Sequence, residues 1–385
     1  MAGERSPRVA TLPFYLTKVR CSLCRMLLWQ ALPGRQGTQI MGFFDLFLPQ
    51  RTAPRPTAQP AEEPVPDRIP LHIVSDDALL RLRDGALEAE GTRVPLDTLS
   101  MVVLHGGAGV TAPCLRALCE AGVPLAVLSR GGYPVGLCTP MDLGAAARRD
   151  QYAAAADPAR SLPLARALID AKLAACNRLA RRRGASAVCV RALSRARQRL
   201  PRARTRAAIM GIEGAAAAAW HKAIPDLLRA EGVTFAGRSR RPPGDLVNAS
   251  LSYGYACVTT ACAVAARCEG LDPAVGFLHA ERAGRAALAL DLAEPLRVAI
   301  CDAAVLESIN TRALGLRHAD TDGSGAVNLT AEGRRVVLRA LERRWSTRLH
   351  IAGRAACWRD LPARHARALS RALRANGQLV LEGPW

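Results

Sequence analysis

Three short apolar runs rich in β-branched residues, Leu71–Val74, Met101–Leu104 and Pro124–Leu128, are each bounded by Gly, Asp or Ser. That pattern predicts buried strands. Between the last two, Thr111 is placed to cap a helix, Pro113 suits its first turn, and Gly122 can end it. The result is a small, mainly β domain with one helix packed on it. Near Arg148 the character changes. From Gln151 onward the segments are long, rich in Ala, Leu and Arg, and helical by propensity, with breaks expected at Pro163, Gly184, Pro201, Pro242-Pro243, Gly270, Gly284 and Gly323–Gly325. Alanine predominates, so helices can approach closely while side-chain period marks their ends poorly. The fold class predicted is α+β: a β-rich domain over 69–147, a larger all-helical domain over 148–385, and before them an extension and Pro-rich linker over 1–68.

The extension adds little to this picture. Six of the twenty residues from Arg51 to Pro70 are proline, which removes backbone donors and favours extended chain. The hydrophobes before it keep no sustained period, and Met41 offers a second candidate start. Residues 1–68 are expected neither to complete the core nor to carry chemistry. The only cysteine pair at metal-like spacing is Cys21-Ser-Leu-Cys24, without the further ligands a tetrahedral zinc site needs. Most of the other cysteines lie in apolar helical contexts, where a free thiol acts as a small hydrophobe, so a reducing cytoplasm is the expected compartment. No membrane span is expected, because the Ala-rich stretches are cut by charged residues before about 18 positions.

Charge changes the picture more. The chain has 385 residues with Lys+Arg 53 against Asp+Glu 33, a formal net charge of +20. Folding does not require that excess; it points to a polyanion. Twelve of the cations (Lys172, Arg178, Arg181, Arg182, Arg183, Arg191, Arg195, Arg197, Arg199, Arg202, Arg204, Arg206) fall within residues 171–210, which contain no acid. A solvated helix face normally interleaves acids for i,i+4 pairs; this run forgoes them, which favours phosphate-backbone binding over a bare solvated surface. Aromatic residues, at 4%, are too scarce for base-stacking platforms.

Several apparent motifs dissolve on inspection. Gly106-Gly107-Ala108-Gly109 lacks both the Gly-Lys-Ser/Thr ending and the dinucleotide spacing, leaving a tight turn. Asp320–Gly325 imitates a calcium loop but has Ala331 where a bidentate Glu belongs. Three other segments are more informative. Glu213 lies between two glycines just before Ala215–Ala219, His279 follows a Pro/Gly-marked turn, and Asp291 and Glu294 stand at i,i+3 within an apolar run. Fifteen residues along one helix would separate His279 from Glu294 by about 20 Å, so the turn near Gly284 must fold them back for a shared site. One imidazole with two carboxylates suits Mg²⁺ or Mn²⁺ acting on phosphate. Each residue also has a plainer role open to it: an interior histidine, a first-turn helix acid, and partners for Arg285 or Arg297.

At this point the chain resembles a known family across roughly residues 69–380: CRISPR-associated protein 1, the universal CRISPR-associated endonuclease and spacer integrase. The blocks that carry the resemblance are Met210–Gly214, Pro242-Pro243 through Asn248 to Tyr255, Phe277–His279, Leu288–Arg297 followed by Asp302 and Asn310, and Leu329–Arg334, with Arg149-Asp-Gln151 opening the helical part. The resemblance implies that Glu213, His279 and Glu294 are metal ligands for Mg²⁺ or Mn²⁺, with Asp291 an accessory acid beside them. Asn248 and Tyr255, seven apart and so on one helix face, belong to the block alongside the site. It further implies a homodimer formed by the β domain, a bridging dimer of the small CRISPR-associated protein 2, and double-stranded DNA as substrate. The implied reaction inserts a captured fragment into a CRISPR array by 3′-hydroxyl attack on a repeat phosphodiester, with hydrolysis as its counterpart. A catalytically silent duplex-binding scaffold, its acids merely balancing arginines, is the alternative from another class.

Overall fold

The β-branched runs pair as parallel strands. In chain order, β1 (Ile69–Ile73) is followed by the antiparallel series β2 (Leu79–Arg83), β3 (Ala86–Ala89) and β4 (Thr92–Pro95), then β5 (Leu99–His105), the two-residue β6 (Gly109–Val110), helix α1 (Ala112–Glu120), β7 (Leu125–Leu128) and β8 (Pro134–Cys138). One sheet has the order β1-β5-β7-β8, parallel except for the last strand; the other runs β4-β3-β2-β6. The computed structural model describes residues 68–140, 144–351 and 353–385, which belong to a single compact unit, Pro64–Trp385. What the sequence suggests for 1–67, including Cys21, Cys24 and Met41, lies outside the described residues.

Strand alternation divides the first sheet between two cores. Val102 and Leu104 of β5 pack with Leu80, Leu87, Cys114 and Leu118 inside the β-rich region, while Val103, with Ala126 and Leu128 of β7, packs on Val264 of a helix beyond it. Successive side chains point to opposite faces, so one strand serves both. Thr111 stands at the N-cap of α1, where its side chain makes no capping bond.

The helical region comprises α2 (Ala145–Ala156), α3 (Pro158–Arg183), α4 (Ala187–Arg199), α5 (Arg206–Leu227), α6 (Leu246–Cys268), α7 (Ala287–Leu296), a π-helical stretch Arg297–Asp302 continuing into α8 (Ala303–Asn310), α9 (Ala331–Trp345) and α10 (Leu361–Ala375). Gly184 ends α3 in the left-handed conformation, and Thr330 caps α9 as its hydroxyl accepts from Gly333 N. Pro163 does not break the chain. It lies exposed in the second turn of α3, where losing one backbone bond is outweighed by burial of Leu164, Ala165, Leu168 and Ile169 on the opposite face. Two short hairpins depart from the all-helical expectation: β9 (Ala319–Thr321) with β10 (Val327–Leu329), and β11 (Arg348–Ile351) with β12 (Arg354–Cys357). The first uses the calcium-like loop as its turn, with Asp322 accepting from Ser324 and Asn328.

Helix α6 is the hub. Among the described residues it is the one helix long and apolar enough to cross a membrane, yet 72% of that stretch is buried within the protein, between the first sheet and the surrounding helices. Alanine and glycine let neighbours come close. A side chain at Gly254 would collide with Cys301 Sγ, so the π-helical stretch packs almost backbone to backbone on α6.

Candidate active site

Helices α5 and α7 both pack against α3, and each of the three carries a charged side chain to the same point. Glu213, in the third turn of α5, and Glu294 of α7 both receive hydrogen bonds from the ammonium of Lys172 on α3, the second at 2.5 Å. Their side chains are 22% and 4% exposed. Burial alone would lower the Lys172 pKa, but Glu294 and Glu213 outweigh it and hold it raised. Burial likewise works against an ionised Glu294, and Arg297 and then Lys172 overcome it, bringing the carboxyl down to about 2.

The loop after α6 supplies the imidazole. Asp291 of α7 is wholly buried and turns its carboxylate to that loop: Oδ2 accepts from the amides of Phe277 (2.6 Å) and Leu278 (2.9 Å), and Oδ1 from the amide of His279 (3.0 Å) and its Nδ1–H (2.6 Å). The ring is thereby oriented with Nε2 directed at Glu294 Oε1, 3.7 Å away. Gly276 is required for this approach, since an added Cβ would lie 2.8 Å from Asp291 Oδ2 and 2.9 Å from the carbonyl carbon of Ala287. Gln151 of α2, fully buried, clamps the same loop by donating to the carbonyls of Asp272 and Val275 and accepting from Asp272 N.

Asn248 and Tyr255 do share a face of α6, as their spacing predicts, and what they share is an arginine. Arg238 donates to Asn248 Oδ1 (2.8 Å) and Ser252 Oγ (2.9 Å), and its guanidinium lies 5.5 Å from the centre of the Tyr255 ring. The Asn248 amide also accepts from Ser239 N and donates to Gly237 O and Asp245 Oδ2, so its hydrogen-bonding capacity is taken up by the loop before α6. Tyr255 reaches the carboxylates indirectly. Arg297, 5.4 Å from the centre of the same ring, donates to Glu294 Oε1 at 2.6 Å. The Tyr255 hydroxyl is held by Asp302 (2.7 Å), which also accepts from Trp220 Nε1 (2.7 Å). Burial raises the pKa of both Asp302 and Tyr255.

The donor set fits a hard divalent cation. Two carboxylates converge on a single positive centre, and an imidazole nitrogen, its ring fixed from the other side by a carboxylate, faces one of them. Oxygen donors with one nitrogen suit Mg²⁺ or Mn²⁺, and a carboxylate behind a ligating histidine is the usual support for such a ring. Among the described residues no three His, Cys, Asp or Glu side chains are already drawn into a cage; the lysine stands at the point of convergence.

Comparison with known proteins supplies the family. The model for CRISPR associated protein Cas1 matches residues 71–343. The CRISPR-associated endonuclease Cas1 1 of Thermus thermophilus is 39% identical over 282 residues, covering 71% of this chain and 86% of that protein. The chain belongs to the Cas1 family. A Cas4/Cas1 fusion from Rhodospirillum rubrum, described as a CRISPR-associated exonuclease and endonuclease, is 38% identical over 307 residues, 76% of this chain, which spans about half (52%) of that longer protein. In fold, the chain matches a solved CAS1 protein from Thermotoga maritima with a TM-score of 0.71 at 22% identity, over 82% of this chain and all of the other. A casposase solved bound to its integration product superposes equally well, TM-score 0.71 at 21% identity, over 81% of this chain and 92% of the other.

Within this Cas1 fold the arginine run lines a groove. Arg195, Arg199 and Arg202 line, with Ala208, Gly211, Ile212 and Ala215, a groove of about 620 Å³ between α4 and α5, the helix that also carries Glu213. Of the run's arginines, only Arg183 and Arg197 meet a carboxylate among the described residues, Glu307 and Asp170 respectively. A Cβ at Gly211 or Gly214 would touch nothing, so open space lies over these two glycines. Sequence reasoning groups Glu213, His279, Asp291 and Glu294 but counts Lys172 only as one more cation of the run.

Proposed function

We propose that the chain is a metal-dependent DNA endonuclease and integrase that joins short DNA fragments to a CRISPR repeat. The observation that carries this reading is the convergence of Glu213 and Glu294 on one point with His279 facing Glu294, in a chain of the Cas1 family whose helix α5, bearing Glu213, also lines an arginine-rich groove. Glu213, Glu294 and His279 would hold Mg²⁺ or Mn²⁺, which when bound neutralises phosphate charge and favours deprotonation of the attacking hydroxyl. Asp291 positions His279 by fixing both its ring and the backbone that carries it. Arg297, stacked on Tyr255, holds Glu294 in place, and Arg238, held by Asn248, lies against the same ring. Arg195, Arg199 and Arg202 seat the duplex by its phosphates, and the small residues on the groove floor admit a backbone closely. In strand transfer a 3′-hydroxyl forms the new P–O bond as the repeat's own P–O3′ bond breaks; with water as nucleophile the same geometry cleaves. A solved neighbour in fold is a Cas6-RT-Cas1–Cas2 complex, which supports a small Cas2 partner. A homodimer built on the β-rich region and residence in the cytoplasm complete the reading.

The test is Mn²⁺-dependent strand transfer into a supercoiled repeat plasmid, with the small partner supplied, by wild type and by Glu213→Ala, His279→Ala and Glu294→Ala. Turnover should fall by at least about 100-fold in each, while duplex affinity and its steep salt dependence stay as in wild type, because the arginines are untouched. Wild-type turnover in His279→Ala and Glu294→Ala would overturn the assignment. Intact DNA binding by a wild type that turns over with neither Mg²⁺ nor Mn²⁺ would favour a silent scaffold.

A further inference from the structure

Lys172 is one of three lysines among 53 basic residues, and its side chain, 12% exposed, is turned inward from α3. The helix that carries it is fixed at both ends, by the Asp157 cap and by Gly184, and its neighbours Ala171 and Leu173 are buried. The backbone is therefore held and only the four-carbon stem is free to move. Its ammonium occupies the point where the Glu213 and Glu294 carboxylates meet. A divalent cation taking those oxygens would come within a few ångströms of the ammonium, where two positive charges repel strongly in a low-dielectric setting. Both cannot hold the pair at once. Lysine suits a post that must be vacated: its charge is compact and its stem flexible, whereas an arginine fork would grip a carboxylate bidentately.

We propose that Lys172 is a placeholder cation, holding Glu213 and Glu294 together until a divalent cation displaces it and so setting the concentration at which metal binds. The inference rests on the metal-site reading above. Without the lysine, two carboxylates at one buried point repel each other and the site waits for metal at a cost in stability. With it, the folded protein tolerates the metal-free state, and metal affinity is correspondingly weakened.

Calorimetric titration of Mn²⁺ into the full chain, without DNA, tests this on wild type, Lys172→Met, Lys172→Arg and Glu294→Gln. Lys172→Met should bind Mn²⁺ about tenfold or more tightly than wild type, and Glu294→Gln about tenfold or more weakly, in line with the change of one charge beside the ion. In chelator Lys172→Met should melt below wild type, and excess Mn²⁺ should raise its Tm by more than it raises that of wild type. Should Lys172→Met fail to fold without metal, Lys172→Arg carries the test. That variant should bind Mn²⁺ more weakly than wild type, and an affinity equal to wild type would overturn the proposal. Unchanged or weaker binding in a folded Lys172→Met, with Glu294→Gln still impaired, overturns the placeholder role and leaves the metal-site reading standing. Binding that is the same in all four proteins overturns the metal site itself, and the proposal with it.

Discussion

Tyr253 and Tyr255 stand two residues apart on α6 and serve two buried polar networks built on opposite terms. Tyr253 faces the first sheet. Its hydroxyl is hydrogen-bonded to His105 Nδ1 (3.0 Å), and His105 Nε2 in turn to His72 Nδ1 (2.9 Å). Burial, joined by the neighbouring His72 and Arg334, lowers the pKa of His105 to about 3, and burial alone lowers that of His72 to about 4. This network passes one proton per link and carries no charge. Tyr255 faces the other way, into a cluster where Asp302, Glu294, Glu213, Lys172, Arg238 and Arg297 are all ionisable groups answering one another. Burying charge is costly unless it is paired and hydrogen-bonded, and a structural joint between sheet and helix needs none. The contrast separates the part of α6 that joins the sheet to the helices from the part that faces the candidate active site.

The sharpest way to break that contrast is Asp291→Asn. The amide keeps the shape but turns an NH₂ group toward the donors of Phe277, Leu278 and His279, so at least one of four hydrogen bonds becomes donor against donor. Strand transfer should fall by at least about 100-fold, Mn²⁺ affinity should drop with it, and stability should fall by about 3 kcal/mol, as for other broken buried charge networks. The matching change on the neutral side, His105→Gln, should lower Tm and leave turnover per folded molecule as in wild type. Equal losses of turnover from the two variants would mean that the networks do not differ in function.

Much of this is legible in the sequence, and the parts that are not have a common cause. The strands around Val74, Leu104 and Leu128, the helical character after Arg148, and the grouping of Glu213, His279, Asp291 and Glu294 follow from local pattern and from the family resemblance. Gln151 is visible only as part of a motif, because the carbonyls it clamps lie 121 and 124 residues away. Lys172 is hidden inside a basic run, although a lysine in a chain that otherwise uses arginine is itself a signal. The spacing of Asn248 and Tyr255 puts them on the correct face, but that the face holds Arg238 depends on a loop whose path sequence period does not describe. Pro163 reads as a break because propensity takes no account of the buried face opposite it.

A second, broader effect follows from the neutral histidines. Folded-state pKa values lie below the ordinary 6.5 for four of them: His72 at about 4, His105 at about 3, His221 at about 4 and His365 at about 4, with burial as the leading cause in each. Above pH 6.5 these groups are neutral in both states and stability is at its plateau. Below it the unfolded chain takes up protons that the folded chain refuses, so stability falls from about pH 6.5 down to about pH 4. Each refused proton steepens that fall by at most about 1.4 kcal/mol per pH unit. Urea midpoints measured across that range should decline steadily. The slope should shrink in His105→Gln, since one refused proton is gone. A flat profile between pH 6.5 and 4 would show that these histidines protonate in place, and the neutral network would lose its meaning.

The smallest predicted effect is also the most direct comparison, the pair Tyr253→Phe and Tyr255→Phe. Each removes one hydroxyl from the same helix and leaves the ring. In Tyr253→Phe, His105 Nδ1 loses its buried hydrogen-bond partner, at a cost of about 1–3 kcal/mol. The metal-side groups are untouched, so turnover should hold. In Tyr255→Phe, Asp302 keeps Trp220 but loses its second donor, a stability cost of about the same size. Here, however, the ring is no longer anchored while Arg238 and Arg297 still rest on its faces, so Arg297 holds Glu294 less firmly. Turnover should fall by about fivefold to tenfold, a cation–π contact weakened by about 1 kcal/mol, with a small loss of Mn²⁺ affinity. Thermal melts with Mn²⁺-dependent transfer on both variants would decide it: similar melts with divergent turnover sustain the division of α6, and similar turnover would collapse it.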